Sequence, residues 1–174
     1  MEIKSENPTT HAHDKFVRTV MADLRVARDF FAIHLPADLK EMTDLANIKL
    51  QPRSQIDDLR NETIVDILYK TTMGGKEAYL YLLLEHQSRP DELMPFRMLK
   101  YTCDIIAQHL KSSKKKTIPL IYPMVIYHAA RPYPYSTDLK DLVDAQQVLK
   151  ERYFLKPFQF FNWPGTCSHH IPDV

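Results

Sequence analysis

Two short runs carry acids where an apolar strand gives no reason for one. In ETIVDILYK, residues 62–70, Asp66 is flanked by Ile64, Val65, Ile67 and Leu68. Desolvating a carboxylate in such a setting is costly unless a cation or hydrogen bonds compensate it. In EAYLYLLLEHQ, residues 77–87, an apolar stretch ends abruptly on Glu85, His86 and Gln87. If Gly74-Gly75 closes a two-residue hairpin between the runs, Met73 faces Lys76, Asp66 faces Leu83 and Ile64 faces Glu85. Asp66 and Glu85 then lie diagonally on one face of the hairpin, about 7 Å apart. Gln87 shares that face and His86 turns to the other. Two carboxylates so placed can hold a divalent cation. Magnesium suits them, with manganese as the alternative, because it needs only one or two carboxylates beside water and substrate phosphate. The chemistry this predicts is metal-assisted phosphodiester hydrolysis, in which Gln87 donates to a phosphate oxygen or orients the attacking water. The competing reading makes Asp66 a paired or edge-exposed acid and Glu85-His86-Gln87 the place where a strand emerges into water.

The elements that must position these residues follow from periodicity. Phe16, Val20, Leu24, Ala27 and Phe31 recur at three- and four-residue spacing, predicting a helix from Asp14 to about Leu35 that Pro36 stops. Residues 48–56, interrupted by Pro52, read as a first, edge-placed strand. The two acid-bearing runs form the hairpin. Met94, Met98, Tyr101, Ile105, Ala107 and Leu110 predict a helix over about 93–111, with Phe96, Met98 and Ile105 assigned to the core. IPLIYPMVIYH, residues 118–128, reads as a buried strand with Pro123 as an irregularity, RPYPYSTD as a turn-rich link, and 139–151 as a last helix. The order helix, three strands, helix, strand, helix predicts an α/β fold with a mixed sheet covered by helices.

A chain of 174 residues with 44% hydrophobic content is large enough for one domain with a real core. Its formal net charge of +1 supplies no global field, so a nucleic-acid partner must be held by a local patch. The polar start MEIKSENPTTHAHDK has no signal-like apolar segment, and no apolar run approaches the roughly 18 residues of a membrane span. A cytoplasmic protein with no membrane partner is expected. Cys103 and Cys167 are too far apart to suggest a disulfide framework or paired zinc ligands.

The segments HDKF (13–16), ARDFFAIHLP (27–36), VDILYK (65–70), AYLYLLLEHQSRPDELMPFRMLKY (78–101) and IPLIYPMVIYH (118–128) together resemble the Rpn recombination-promoting nucleases, also called YhgA-like transposases. The resemblance covers about residues 10–160. It implies the restriction-endonuclease-like core of the PD-(D/E)XK superfamily: a mixed four-stranded sheet between helices. It also implies that Asp66 and Glu85 are the acids of the second and third core strands, that Gln87 replaces the superfamily lysine, and that magnesium-dependent cleavage of DNA is the activity. Residues 1–13 are expected as a flexible leader, 14–158 as the nuclease-like domain, and 159–174 as an atypical tail. LKPFQ (155–159) begins like the family, but from Phe160 onward the sequence departs from it, which reads as a truncation or a shifted frame. A second function is therefore carried alongside the first: a catalytically impaired member that binds nucleic acid or regulates a partner.

Further candidates surround the acids. Asp14 serves either as a helix cap or as a third metal ligand. Lys70 lies on the strand face of Asp66, two steps along, and is a candidate phosphate contact. Arg97 and Lys100 on the second long helix, and Lys114, Lys115 and Lys116 in the loop after it, could meet the DNA backbone, although a lysine-rich loop is equally a solvated one. Cys167, His169 and His170 read as tail rather than a metal site. A homodimer is expected by analogy with nucleases that act on two strands.

Overall fold

Gly74 and Gly75 have φ of 56° and 73°, the left-handed pair that a two-residue turn of type I′ requires. A Cβ added to either would meet nothing within 4 Å, so backbone conformation and not crowding selects glycine here. The turn joins β2 (Val65–Met73) to β3 (Lys76–Glu85) in an antiparallel ladder that runs from Met73 opposite Lys76 to Val65 opposite Leu84. This is the register expected from the sequence, including Asp66 opposite Leu83.

The computed structural model describes residues 16–52, 65–85, 90–113, 116–127, 129 and 131–156, the side chains of Val65, Asp66, Glu85 and Tyr153 aside. Compactness divides the chain between Thr137 and Asp138. The first unit contains a helix over 16–22 (α1), α2 (Leu24–His34), α3 (Ala37–Met42), a 3-10 turn at Leu45–Asn47 and the short strand β1 (Lys49–Leu50). The hairpin, α4 (Met94–Ser112) and β4 (Leu120–Tyr127) follow. Sheet order is β1-β2-β3-β4, antiparallel except that β3 and β4 run parallel, with α4 as the crossover between them. This is an α/β architecture with a mixed four-stranded sheet flanked by helices, as expected. The second unit contains a 3-10 turn, Leu139–Leu142, capped by the Asp138 side chain, and α5 (Gln147–Tyr153).

Strand alternation divides the first unit's core into two. Ile67 and Tyr69 of β2 join Ala78, Leu80, Leu82 and Leu84 of β3 in one buried cluster with Ala27 and Phe31 of α2. Leu68 of β2 joins Tyr79, Tyr81 and Leu83 of β3 in another, with Met94, Tyr101 and Ile105 of α4 and Ile121 of β4. β3 is thus buried on both faces, which explains why AYLYLLL is apolar without alternation. Pro123 is accommodated in β4, at the end of the sheet order, where a missing N–H costs least.

Four expectations differ. β4, expected as a buried strand, buries only Ile121, with Leu120 and Val125 exposed, because it closes one end of the sheet order. The first long helix is broken at Asp23, whose carboxylate accepts from the Arg25 backbone N–H at 2.9 Å and grips its guanidinium at 2.7 Å, starting α2 afresh. The Arg25 hydrogen bonds hold the Asp23 carboxyl down at about 2. The last helix is likewise interrupted between Leu142 and Gln147, where the chain leaves its 3-10 turn through extended backbone at Val143. Phe96, assigned to the core, is 53% exposed, because the buried stripe of α4 follows Met94, Tyr101, Ile105 and His109 and passes it by. Tyr69, fully buried, donates from its hydroxyl to the Met21 carbonyl and meets Phe31 edge-on at 5.2 Å, tying both α1 and α2 to β2.

Candidate active site

Asp66 is the second residue of β2 and Glu85 the last of β3. With Asp66 opposite Leu83, position 85 lies two residues beyond that partner, so the two acid positions share strand parity and stand diagonally across the ladder. In the parallel pair, Glu85 lies opposite Tyr127, the last residue of β4. The acids therefore mark the carboxyl end of parallel strands, where sheets of this class open a crevice to ligands. Their parity is that of Leu68, Tyr81 and Leu83, the face covered by α4. Ile64, Gln87, Asp14, Lys114 and Lys115 lie outside the described residues. Among the described residues, no group of three or more His, Cys, Asp or Glu could hold a metal ion.

On the α4 side, the Arg97 Nη1 donates to Asp91 Oδ2 at 2.8 Å, and the guanidinium stands 5.9 Å from the centre of the Tyr101 ring. Asp91 also accepts from the Leu93 N–H at 3.0 Å through its other oxygen, fixing the chain as it enters α4. Lys100 and Lys116 are exposed. The backbone carbonyl of Asp91 accepts from the Tyr133 hydroxyl at 2.7 Å. Tyr133 in turn links Tyr127, 5.5 Å away edge-on, to Tyr135 at 5.7 Å. RPYPYS carries turn signals that mask this chain of rings in the sequence. Its detectable sign was the alternation of proline and tyrosine.

Lys70 sits toward the hairpin turn, four residues and about 13 Å along β2 from Asp66. Its Nζ pairs with Glu77 Oε2 at 3.0 Å, and Glu77 Oε1 lies 3.2 Å from His109 Nδ1 and 3.3 Å from the Tyr79 hydroxyl. His109 Nδ1 also lies 3.2 Å from the Tyr79 hydroxyl. Burial works against the Glu77 charge, but Lys70, joined by His109 and the Tyr79 hydroxyl, outweighs it and holds the carboxyl below its ordinary value. Burial, reinforced by Glu77, pushes the Tyr79 phenol up to about 12. These groups line a cleft of about 220 Å³ together with Gln51, Gln108 and Ser112.

The model of the family described as "Putative transposase, YhgA-like" matches residues 11–171. The chain belongs to this family. Its curated relatives include recombination-promoting nuclease RpnD of Escherichia coli O157:H7, 37% identical over 74% of this chain and 50% of that protein. Recombination-promoting nuclease RpnC of E. coli K12 is 36% identical over 94% of this chain and 54% of its own length. The family also includes a relative named as inactive, recombination-promoting nuclease-like protein RpnE of E. coli K12, 31% identical over 86% of this chain and 50% of that protein. The chain thus spans about half the length of each of these relatives. No solved structure matches it. Among the described residues, no helix is long and apolar enough to cross a membrane.

Proposed function

We propose that this chain carries the catalytic core of a cytoplasmic, magnesium-dependent DNA endonuclease that hydrolyses phosphodiester bonds and so promotes recombination. One observation carries the reading: the glycine turn sets a register in which Asp66 and Glu85 share a face at the carboxyl end of β3 and β4. Diagonal strand positions about 7 Å apart fit two carboxylates around one divalent ion, with Asp14 as the third ligand. Bound there, magnesium or manganese supplies acidified water and neutralises charge on the phosphoryl oxygens. Gln87 orients the attacking water or donates to phosphate. Lys70, Arg97, Lys100 and Lys114 to Lys116 are assigned to the DNA backbone. Lys70 and Arg97 already have carboxylate partners with which a phosphate must compete, so the exposed Lys100 and Lys116 carry more of the salt dependence. A homodimer would present two such sites to two strands.

The second reading is a non-catalytic member that binds nucleic acid or regulates a partner. It is favoured by the relative named as inactive. Supercoiled plasmid incubated with the protein and magnesium separates the two. Cleavage that disappears in both Asp66→Ala and Glu85→Ala supports the enzyme; equal nicking by all three proteins, or none by the wild type, removes it. Plasmid binding without cutting leaves the second reading standing.

A further inference from the structure

Tyr127, Tyr133 and Tyr135 form a chain of edge-to-face rings that starts beside Glu85 and runs outward. Tyr127 is the strand residue opposed to Glu85, and its ring contacts Tyr133 at 5.5 Å; Tyr133 contacts Tyr135 at 5.7 Å. The inner end is anchored. Tyr133 packs against the α4-side core cluster and donates to the Asp91 carbonyl, and burial, with the Asp91 charge adding to it, raises its phenol above the ordinary value. The outer end is open, since Tyr135 is 42% exposed. Core packing accounts for Tyr133 but not for a third ring that continues the series into solvent.

The local sequence fits a presenting element. Pro132 and Pro134 bracket Tyr133 and restrict the backbone that carries it, and the Tyr135 ring rests edge-on against Tyr133. Arg131, exposed, adds a cation at the start of the same segment. Asp91, whose carbonyl accepts from Tyr133, is paired through its carboxylate with Arg97 at 2.8 Å. An exposed aromatic ring with a cation in the same segment, in a series that begins at the strand position opposite Glu85, matches the chemistry of an unpaired nucleobase followed by its phosphate. A duplex offers such rings only the edges of stacked pairs, whereas a single strand offers base faces.

We infer that Tyr135, backed by Tyr133, is a stacking platform for unpaired bases, which makes single-stranded or locally melted DNA the preferred substrate at this site. The inference rests on the nuclease reading for what happens after binding, but binding itself is measured without cutting.

The test is fluorescence anisotropy in EDTA with the full chain, using a labelled oligothymidylate and a duplex of the same length. The wild type should bind the oligothymidylate more tightly than the duplex. Tyr135→Ala should weaken oligothymidylate binding about tenfold, within the range of one base–aromatic stack, and leave duplex binding and the salt slope unchanged. Tyr135→Phe, which keeps the ring, should bind as wild type. Arg131→Ala should instead lower the slope of affinity against salt by roughly one phosphate. Unchanged oligothymidylate binding by Tyr135→Ala, an equal loss on both DNAs, or a wild-type preference for duplex would overturn the inference. Uncut plasmid in magnesium alongside Tyr135-dependent oligothymidylate binding would remove the cleavage reading and support this one.

Discussion

Replacing Tyr69 by Phe should loosen the attachment of the N-terminal helices to the strand that carries Asp66. The ring is fully buried against Phe31, and its hydroxyl donates to the Met21 carbonyl in a residue that is itself 4% exposed. Phe keeps the ring contacts, so the loss is confined to one hydrogen bond and to a carbonyl left without this donor. The bond contributes about 1 kcal/mol net and the stranded acceptor adds a similar amount, giving about 2 kcal/mol. For a chain of this size that corresponds to a fall in Tm of roughly 4–8 °C. Circular-dichroism melts of the two proteins read it directly. Spectrophotometric titration gives an independent signal: burial drives the Tyr69 phenol above the ordinary range, so it should ionise with alkaline unfolding rather than before it. An unchanged melting midpoint in Tyr69→Phe would refute the reasoning, because it would mean that the hydroxyl is solvated or that Met21 has another donor.

Two further stability predictions concern the hairpin and its cleft. Glu77→Gln removes the anion between Lys70 and His109 and should cost about 0.5–1 kcal/mol near neutral pH, discounted for partial exposure. Because the folded-state value of Glu77 lies below its ordinary one, its contribution is present above the ordinary carboxylate range and lost as pH falls through the lowered value. Urea midpoints of wild type and Glu77→Gln should therefore differ at neutral pH and converge in acid; a constant gap would contradict the ion pair. Gly75→Ala should cost about 1–2 kcal/mol through its left-handed backbone alone, since the added methyl meets nothing. Gly75→Asn should recover part of that loss in the same urea assay.

What could be read in the sequence was what local geometry decides. A glycine pair between two apolar runs fixes a turn, the turn fixes the register, and the register puts positions 66 and 85 on one face. The stop before Pro36 and the span of α4 were legible for the same reason. Asp23 was not, because a short acid inside a periodic stripe looks like a solvent-facing residue until its side chain caps the next turn. Phe96 misled because periodicity gives a stripe without saying how wide its buried part is. Beyond the proline–tyrosine alternation, the tyrosine chain was not legible, because it joins a strand end to a loop and its contacts depend on where β4 finishes relative to β3. Lys70 could be placed on the right face, but its partner Glu77 comes from the far side of the turn and His109 from α4.

Both acid positions belong to a single hairpin whose strands are joined by two residues, so the spacing between them is set by contacts close in sequence. Such a hairpin can form on the microsecond scale, before the slower arrival of β4 across its helical crossover. Substitutions that delay or weaken the parallel strand should then impair folding yield far more than they alter the distance between the acids.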